Sequence, residues 1–289
     1  MTAEDVRSAV RRVYGRIARD NHSCCAPESC SGTASGMDRL GYSEKELASI
    51  PNGANLGLGC GNPTALTSIR EGDVVLDLGA GAGIDCFLAA EKVGASGRVI
   101  GVDMTPEMID QARKNAREGG YDHVEFRLGE IEHLPVADAS VDWVISNCVV
   151  NLSPDKAQVF REAYRSLRPG GGLLVSDIVL VADLPEGIRR DPEAVAGCIA
   201  GAMPREDYLK AIEAAGFGEV EVLGERPVGR TGGKAAGPDP SKGSRRACAP
   251  KAGEGRDEAP ARDAWAKAGV FATSVQVLAR KGRRGGART

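Results

Sequence analysis

The chain has 289 residues, enough for one full α/β domain and a smaller second unit, and its 42% hydrophobic and 27% charged fractions are ordinary for a globular protein. A formal net charge of -3 provides no broad basic field and argues against a nucleic-acid partner. No apolar run reaches the roughly eighteen residues of a membrane span, and Met1 to Asp20 lacks a signal-peptide core, so the expectation is a cytoplasmic protein with no membrane partner.

Residues 3–19 predict an amphipathic helix, with Val6, Val10, Val13 and Ile17 at helical spacing. A loop over 21–36 follows, holding three cysteines. Ser43 to Ser49 predicts a short helix with a Ser43–Glu46 capping box, ended by Pro51. From Gly72 the pattern alternates. Strands are expected at Val74–Leu78, Arg98–Val102, Val124–Leu128, Val141–Ser146 and Gly172–Asp177. Helices are expected between them at Ile84–Val93, Thr105–Arg117 and Asp155–Leu167, with Thr105 as a cap and Pro106 in the first turn. Near-continuous apolar strands alternating with helices mean a parallel sheet covered on both faces, a doubly wound α/β domain.

Further on, Arg205–Ala215 predicts a helix, Glu219–Leu223 a strand, and Ala268–Ala279 a closing strand pair or a single edge strand. Glu225 to Arg262, rich in Gly, Pro, Lys and Ala, cannot bury a core and is expected to be disordered or a mobile loop. The basic residues of 242–246 and 280–288 read as a solvated terminus. The chain thus divides into an N-terminal helix and cysteine-bearing loop (1–54), a Rossmann-like domain (55–180) and a smaller C-terminal α+β closing region (181–289).

The strongest signal is Asp77-Leu78-Gly79-Ala80-Gly81-Ala82-Gly83 at the end of the first expected strand. Glycines let the backbone turn sharply and approach a ligand, and ligands in open parallel sheets sit beyond the carboxyl ends of the strands. Asp103, at the end of the second strand, can accept bonds from both hydroxyls of a ribose. The dinucleotide fingerprint needs G-x-G-x-x-G, and Ile84 or Cys86 falls where its last glycine belongs. The loop instead reads D-x-G-x-G-x-G and resembles the first motif of class I methyltransferases that bind S-adenosylmethionine. That resemblance implies S-adenosylmethionine as cofactor, held by Asp77, Gly79, Gly81, Gly83, Asp103 and Met104. Ile131 and Glu132 would lie on the adenine side and Asn147 at the methionine end.

In a reducing cytosol the eight cysteines are expected to bind metals, react or pack rather than form structural bridges. Cys148 follows the fourth strand, where folds of this kind put acceptor-facing groups. Cys60 lies in a glycine-rich segment before the first strand, and Cys198 beyond the fifth. Three thiols from distant segments can converge over one edge of the sheet. Cys86 reads as packing. Cys25 and Cys30 have the spacing of half a zinc site, which His22 could help complete. His123 and His133 read as surface groups.

Taken together, GLGCGNP, DLGAGAGIDCF, GVDMT, SNCVVNLSPDK and GCIAGAM resemble segments of arsenite methyltransferases, over about Asn55 to Gly216. The resemblance implies that Cys60, Cys148 and Cys198 carry trivalent arsenic and that an N-terminal-region cysteine, Cys24 or Cys25 among the candidates with Cys30, takes part in redox turnover. The implied partners are arsenite or its thiol conjugates and a thiol reductant such as glutathione or thioredoxin, acting with a monomer. Arsenic is soft and prefers sulfur. Two other readings stay open: a quinone-type or other small-molecule methyltransferase, and a metalloid-binding protein without methyl transfer.

Overall fold

The computed structural model of the chain describes residues 2–20, 37–184, 198, 201–228 and 271–283. Helices α1 (Ala3–Asp20), α2 (Glu44–Ser49) and α3 (Pro63–Leu66) precede the sheet. Then come β1 (Val74–Leu78), α4 (Ile84–Val93), β2 (Arg98–Asp103), α5 (Pro106–Gly119), β3 (Val124–Leu128), β4 (Val141–Asn147), α6 (Lys156–Ser166) and β5 (Leu167–Leu180). Helix α7 (Arg205–Ala214), β6 (Glu219–Val228) and β7 (Ala272–Arg280) complete the described elements. The sheet order is β3-β2-β1-β4-β5-β7-β6. Strands β1 to β5 pair in parallel, and β7 runs antiparallel to both β5 and β6.

Alternate residues of the strands feed two cores. Leu76, Leu78, Val102 and Val144 pack with α6 and α7, while Val75, Val99 and Ile145 pack with α4 and α5. This two-sided burial is why the strands read as apolar runs. The order of strands reverses between β1 and β4, the position where such sheets open a crevice.

Several expectations need correction. Strand β5 extends past Asp177 to Leu180 because β7 pairs with it as far as Ala272. Strand β6 reaches Val228, so residues 225–228 belong to the sheet, through a register shift between Val222 and Gly224; the rest of the 225–262 stretch lies outside the described residues. Strand β7 is a single strand inside the sheet, and β6 takes the edge. Arg280 and Lys281 are not part of a solvated tail. The Arg280 guanidinium lies 4.5 Å from the Trp143 ring centroid, and Lys281 Nζ donates to the carbonyls of Tyr164 and Leu167 at 2.6 and 2.7 Å. Thr105 occupies the cap position of α5, yet its side chain makes no capping bond. The Ser43–Glu46 capping box is present as expected.

Along α1 the buried positions are Val10, Gly15 and Ala18, with Tyr14 packed beside Val10 and Ala18. The inward line is therefore rotated from the Val6–Val13 side. The helix leans on α5, where Arg19 pairs with Glu107, and further ion pairs run from Arg7 to Glu130 and Glu132 at 3.3 and 3.5 Å and from Arg11 to Glu130 at 3.7 Å. Among the described residues no helix is long and apolar enough to cross a membrane.

Candidate active site

The glycine loop is tied to the neighbouring strand by its own backbone. Gly79 and Ala80 N–H groups both donate to the Val102 carbonyl, at 2.7 and 3.0 Å, and Gly81 N–H donates to Asp103 Oδ2 at 3.0 Å. The other Asp103 oxygen accepts from Thr105 N–H at 2.8 Å. Above this loop a cavity of about 590 Å³ opens at the β1–β4 switch. Asp77, Gly79, Gly81, Asp103, Met104, Ile131, Glu132 and Asn147 all line it. Gly83 is not among the lining residues. Its φ of 102° starts α4, and a Cβ there would strike Phe87 and Phe126.

The glycines serve different ends. A Cβ on Gly79 would come within 2.3 Å of Val149, whereas one on Gly81 would meet nothing within 4 Å. Gly79 is a packing glycine, and Gly81 faces space that a ligand can fill. Glu132 lines the cavity while buried, accepting from Ser153 Oγ at 2.6 Å and facing Arg7. Burial pushes Asp103 above the usual carboxylate range, against the backbone N–H groups that hold it down.

At the other end of the cavity lie Cys60, Cys148 and Cys198. The Sγ atoms of Cys60 and Cys148 and a carboxylate oxygen of Asp177 lie within 4.8 Å of one another. The Ser176 carbonyl is their common anchor, accepting from Cys60 Sγ at 3.2 Å and from Cys148 N–H at 2.7 Å. Cys198 Sγ donates to the Cys148 carbonyl at 2.8 Å. Cys148 and Cys198 hold left-handed φ values of 61° and 64°, a conformation that non-glycine residues adopt at a cost of about 1–2 kcal/mol. Strain of this kind concentrates at functional sites.

Hydrogen bonds to Cys198 and Cys60, then burial, hold Cys148 well above the usual thiol range, and burial pushes Cys60 up. The four described cysteines, Cys60, Cys86, Cys148 and Cys198, are all free. Cys86 packs in the core with its thiol on Asp77 Oδ2 at 3.2 Å. Cys24, Cys25, Cys30, His22 and Cys248 lie outside the described residues, and with them the zinc reading. His133 is exposed and His123 half-buried.

Asn147 joins the two ends. Its amide donates to the Gly61 carbonyl at 2.7 Å, to Tyr42 Oη at 2.8 Å and to Asp85 Oδ2 at 3.0 Å, while its oxygen accepts from Cys60 N–H at 2.9 Å. Burial raises Asp85 to about 6 against these donors.

Sequence reasoning missed Asp177, Tyr208, Tyr42, Asp85 and Tyr14. Asp177 is buried beside the thiols, accepting from Asn151 Nδ2 at 2.7 Å, Ile178 N–H at 2.9 Å and Tyr208 Oη at 3.2 Å; burial raises it to about 7. A carboxylate inside an apolar strand was the available signal, since such a group needs partners.

A methyltransferase domain family matches residues 69–216. The chain is 51% identical over 230 residues to an arsenite methyltransferase of Halobacterium salinarum, covering 76% of this chain and 59% of that protein. It is 36% identical over 234 residues to an arsenite methyltransferase of Aquipseudomonas alcaligenes, covering 78% of this chain and 66% of that one. The chain thus spans less than two thirds of these relatives' length. Among solved structures, an arsenic (III) S-adenosylmethionine methyltransferase from Chlamydomonas reinhardtii is 33% identical with a TM-score of 0.59, over 89% of this chain and 76% of that one.

Proposed function

The chain belongs to the methyltransferase domain family and, within it, to the arsenite methyltransferases, and from that premise we propose that it moves a methyl group from S-adenosylmethionine to trivalent arsenic held by Cys60, Cys148 and Cys198. The observation that carries this reading is one cavity with the glycine loop at one end and three thiols from distant segments at the other. The open space over Gly81 and the Asp103 carboxylate at its rim fit the cofactor. When bound, the cofactor would supply an electrophilic methyl on a sulfonium sulfur; the arsenic lone pair would attack that methyl carbon in line as the carbon–sulfur bond breaks and S-adenosylhomocysteine leaves, with no general base needed. The protein's contribution is positioning, which can supply roughly 7–11 kcal/mol.

Neutral buried thiols suit this acceptor. Arsenous acid condenses with thiols by releasing water, so the thiol protons leave with the hydroxyls and no net charge is buried. A divalent cation would instead need thiolates, and three of them would leave a negative complex in a dry site. Nothing observed favours a quinone-type acceptor. After transfer, arsenic is pentavalent; two thiolates couple to a disulfide and return the electron pair. In this proposal Cys24 or Cys25 takes part in that step, and glutathione or thioredoxin restores the thiols. A cytoplasmic monomer fits that need for a reducing compartment.

The test is methyl transfer from labelled S-adenosylmethionine to arsenite with glutathione present. Methylated arsenic and S-adenosylhomocysteine are expected together, and neither without arsenite. A folded protein that binds S-adenosylmethionine and yields no methylated arsenic would sink the arsenic reading.

The glycine loop supplies a separate expectation. Gly81→Ala puts a methyl into the cavity and should weaken S-adenosylhomocysteine binding by about tenfold or more at a stability cost of about 1 kcal/mol, because its φ is 52°. Gly79→Ala drives its methyl into Val149 and should cost about 2–4 kcal/mol of stability. Isothermal titration and thermal melts of the two variants separate the roles, and equal melting temperatures would contradict the assignment.

A further inference from the structure

Cys148 and Cys60 are held in different ways. Cys148 follows β4 directly, and its N–H donates to the Ser176 carbonyl of β5 at 2.7 Å. Cys60 has no such frame. Residues 55–62 form neither helix nor strand, and Gly57 and Gly59 turn the segment through left-handed φ values of 70° and 119°. A segment of this kind keeps a reacting side chain in place only if something grips its backbone.

The grip is the side chain of Asn147, the last residue of β4. Its Oδ1 accepts from Cys60 N–H at 2.9 Å and its Nδ2 donates to the Gly61 carbonyl at 2.7 Å, so one amide spans the backbone of both residues. The partners dictate its direction. A backbone N–H can only donate and a backbone carbonyl can only accept, so the oxygen faces Cys60 and the nitrogen faces Gly61. Asp85 Oδ2 at 3.0 Å and Tyr42 Oη at 2.8 Å also lie on the nitrogen, and Tyr42 gives its own proton to Asp85 Oδ1 at 2.8 Å. Two amide hydrogens therefore meet three protein acceptors. Gly59 completes the fit, because a Cβ there would come within 2.8 Å of Asn147 Nδ2.

We propose that Asn147 is a positioning residue that fixes Cys60 at its place beside Cys148, with Asp85 and Tyr42 holding its amide in the required direction. This role rests on the arsenic reading above. Asn147 directly precedes Cys148 in the chain, so one residue sets the separation of two thiols whose sulfurs lie within 4.8 Å of each other. Aspartate in its place would keep the acceptor for Cys60 N–H but turn a second oxygen toward the Gly61 carbonyl and the Asp85 carboxyl.

The experiment compares Asn147→Asp and Asn147→Ala with wild type in the full chain. Arsenite and S-adenosylhomocysteine are titrated separately, and amide hydrogen exchange is followed by NMR without ligand. Each variant should weaken arsenite binding about tenfold and leave S-adenosylhomocysteine affinity within about threefold. Exchange at the Cys60 amide should quicken about tenfold or more, while Cys148 N–H, bonded to the Ser176 carbonyl, keeps its rate. Wild-type arsenite affinity in Asn147→Asp would overturn the role, since only the shape of the side chain would then matter. An equal loss of S-adenosylhomocysteine affinity would overturn it too, as the mark of a cofactor contact. So would faster exchange spread evenly along β4 and β5, which marks a merely structural residue. If Asn147→Asp does not fold, arsenite affinity and exchange in Asn147→Ala decide. A wild type that binds S-adenosylhomocysteine but no arsenite overturns the arsenic reading and this role with it, whereas unchanged exchange at Cys60 overturns the role of Asn147 alone.

Discussion

Cys148→Ser is expected to abolish methyl transfer to arsenite, by on the order of a thousandfold or more, while S-adenosylmethionine binding and folding survive. Cys148 links the other two, its carbonyl accepting from Cys198 Sγ at 2.8 Å and its sulfur lying within 4.8 Å of Cys60 Sγ. Serine is nearly the same size and keeps the backbone carbonyl that accepts from Cys198, but its hard oxygen is a poor ligand for a soft centre. The residue's left-handed φ of 61° strains serine no more than cysteine, since both carry the same Cβ, so the substitution leaves the backbone strain unchanged. Product formation from labelled cofactor, beside a thermal melt and an S-adenosylhomocysteine titration, measures it. Activity within tenfold of wild type would remove Cys148 from the acceptor site.

Gly61→Ala should reduce the same activity about a hundredfold by a different route, since a misplacement of about one ångström in a reacting group can cost that much. A Cβ on Gly61 would come within 2.1 Å of Ser176 Oγ and 3.0 Å of Ser176 Cβ. Ser176 is fully buried in β5, and its carbonyl anchors both Cys60 and Cys148, so the loop must yield instead of the strand. Cys60 would move with it. Gly61 is not among the left-handed glycines, so the effect is steric. A double variant with Ser176→Gly removes both clashing atoms and should regain most of the lost rate. Failure of that rescue, with the protein folded, would show that Gly61 acts otherwise.

These residues differ in how far they could be read in advance. The strands from Val74 to Leu78 and from Val141 on were legible because burial on both faces leaves an unbroken apolar run. Asp77, Gly81 and Asp103 were legible from their spacing, and Cys60, Cys148 and Cys198 from their glycine-rich or strand-end settings. Cys24 and Cys25 were legible as candidates only, and nothing described tests them. Asp177 and Tyr42 were not legible, because each is ordinary in its own segment and acquires meaning from a partner far along the chain: Tyr208 and Asp85. The position of β7 was hidden for a related reason. Local periodicity marks a strand, but pairing with β5 and β6 decides whether it lies at the edge.

That position of β7 has a consequence for biosynthesis. A ribosome delivers β5 and β6 well before β7, so the long flank of β5 emerges with its ladder partner still missing. Exposed strand flanks of this kind invite pairing with other chains, and partners distant in sequence find each other slowly. The acceptor site waits as well, because Ser274 of β7 donates to the Cys60 carbonyl at 3.0 Å. The nascent protein therefore completes its cofactor loop early and its thiol cluster last, so a polypeptide arrested before residue 272 should hold the glycine-loop half of the cavity without a finished place for the acceptor.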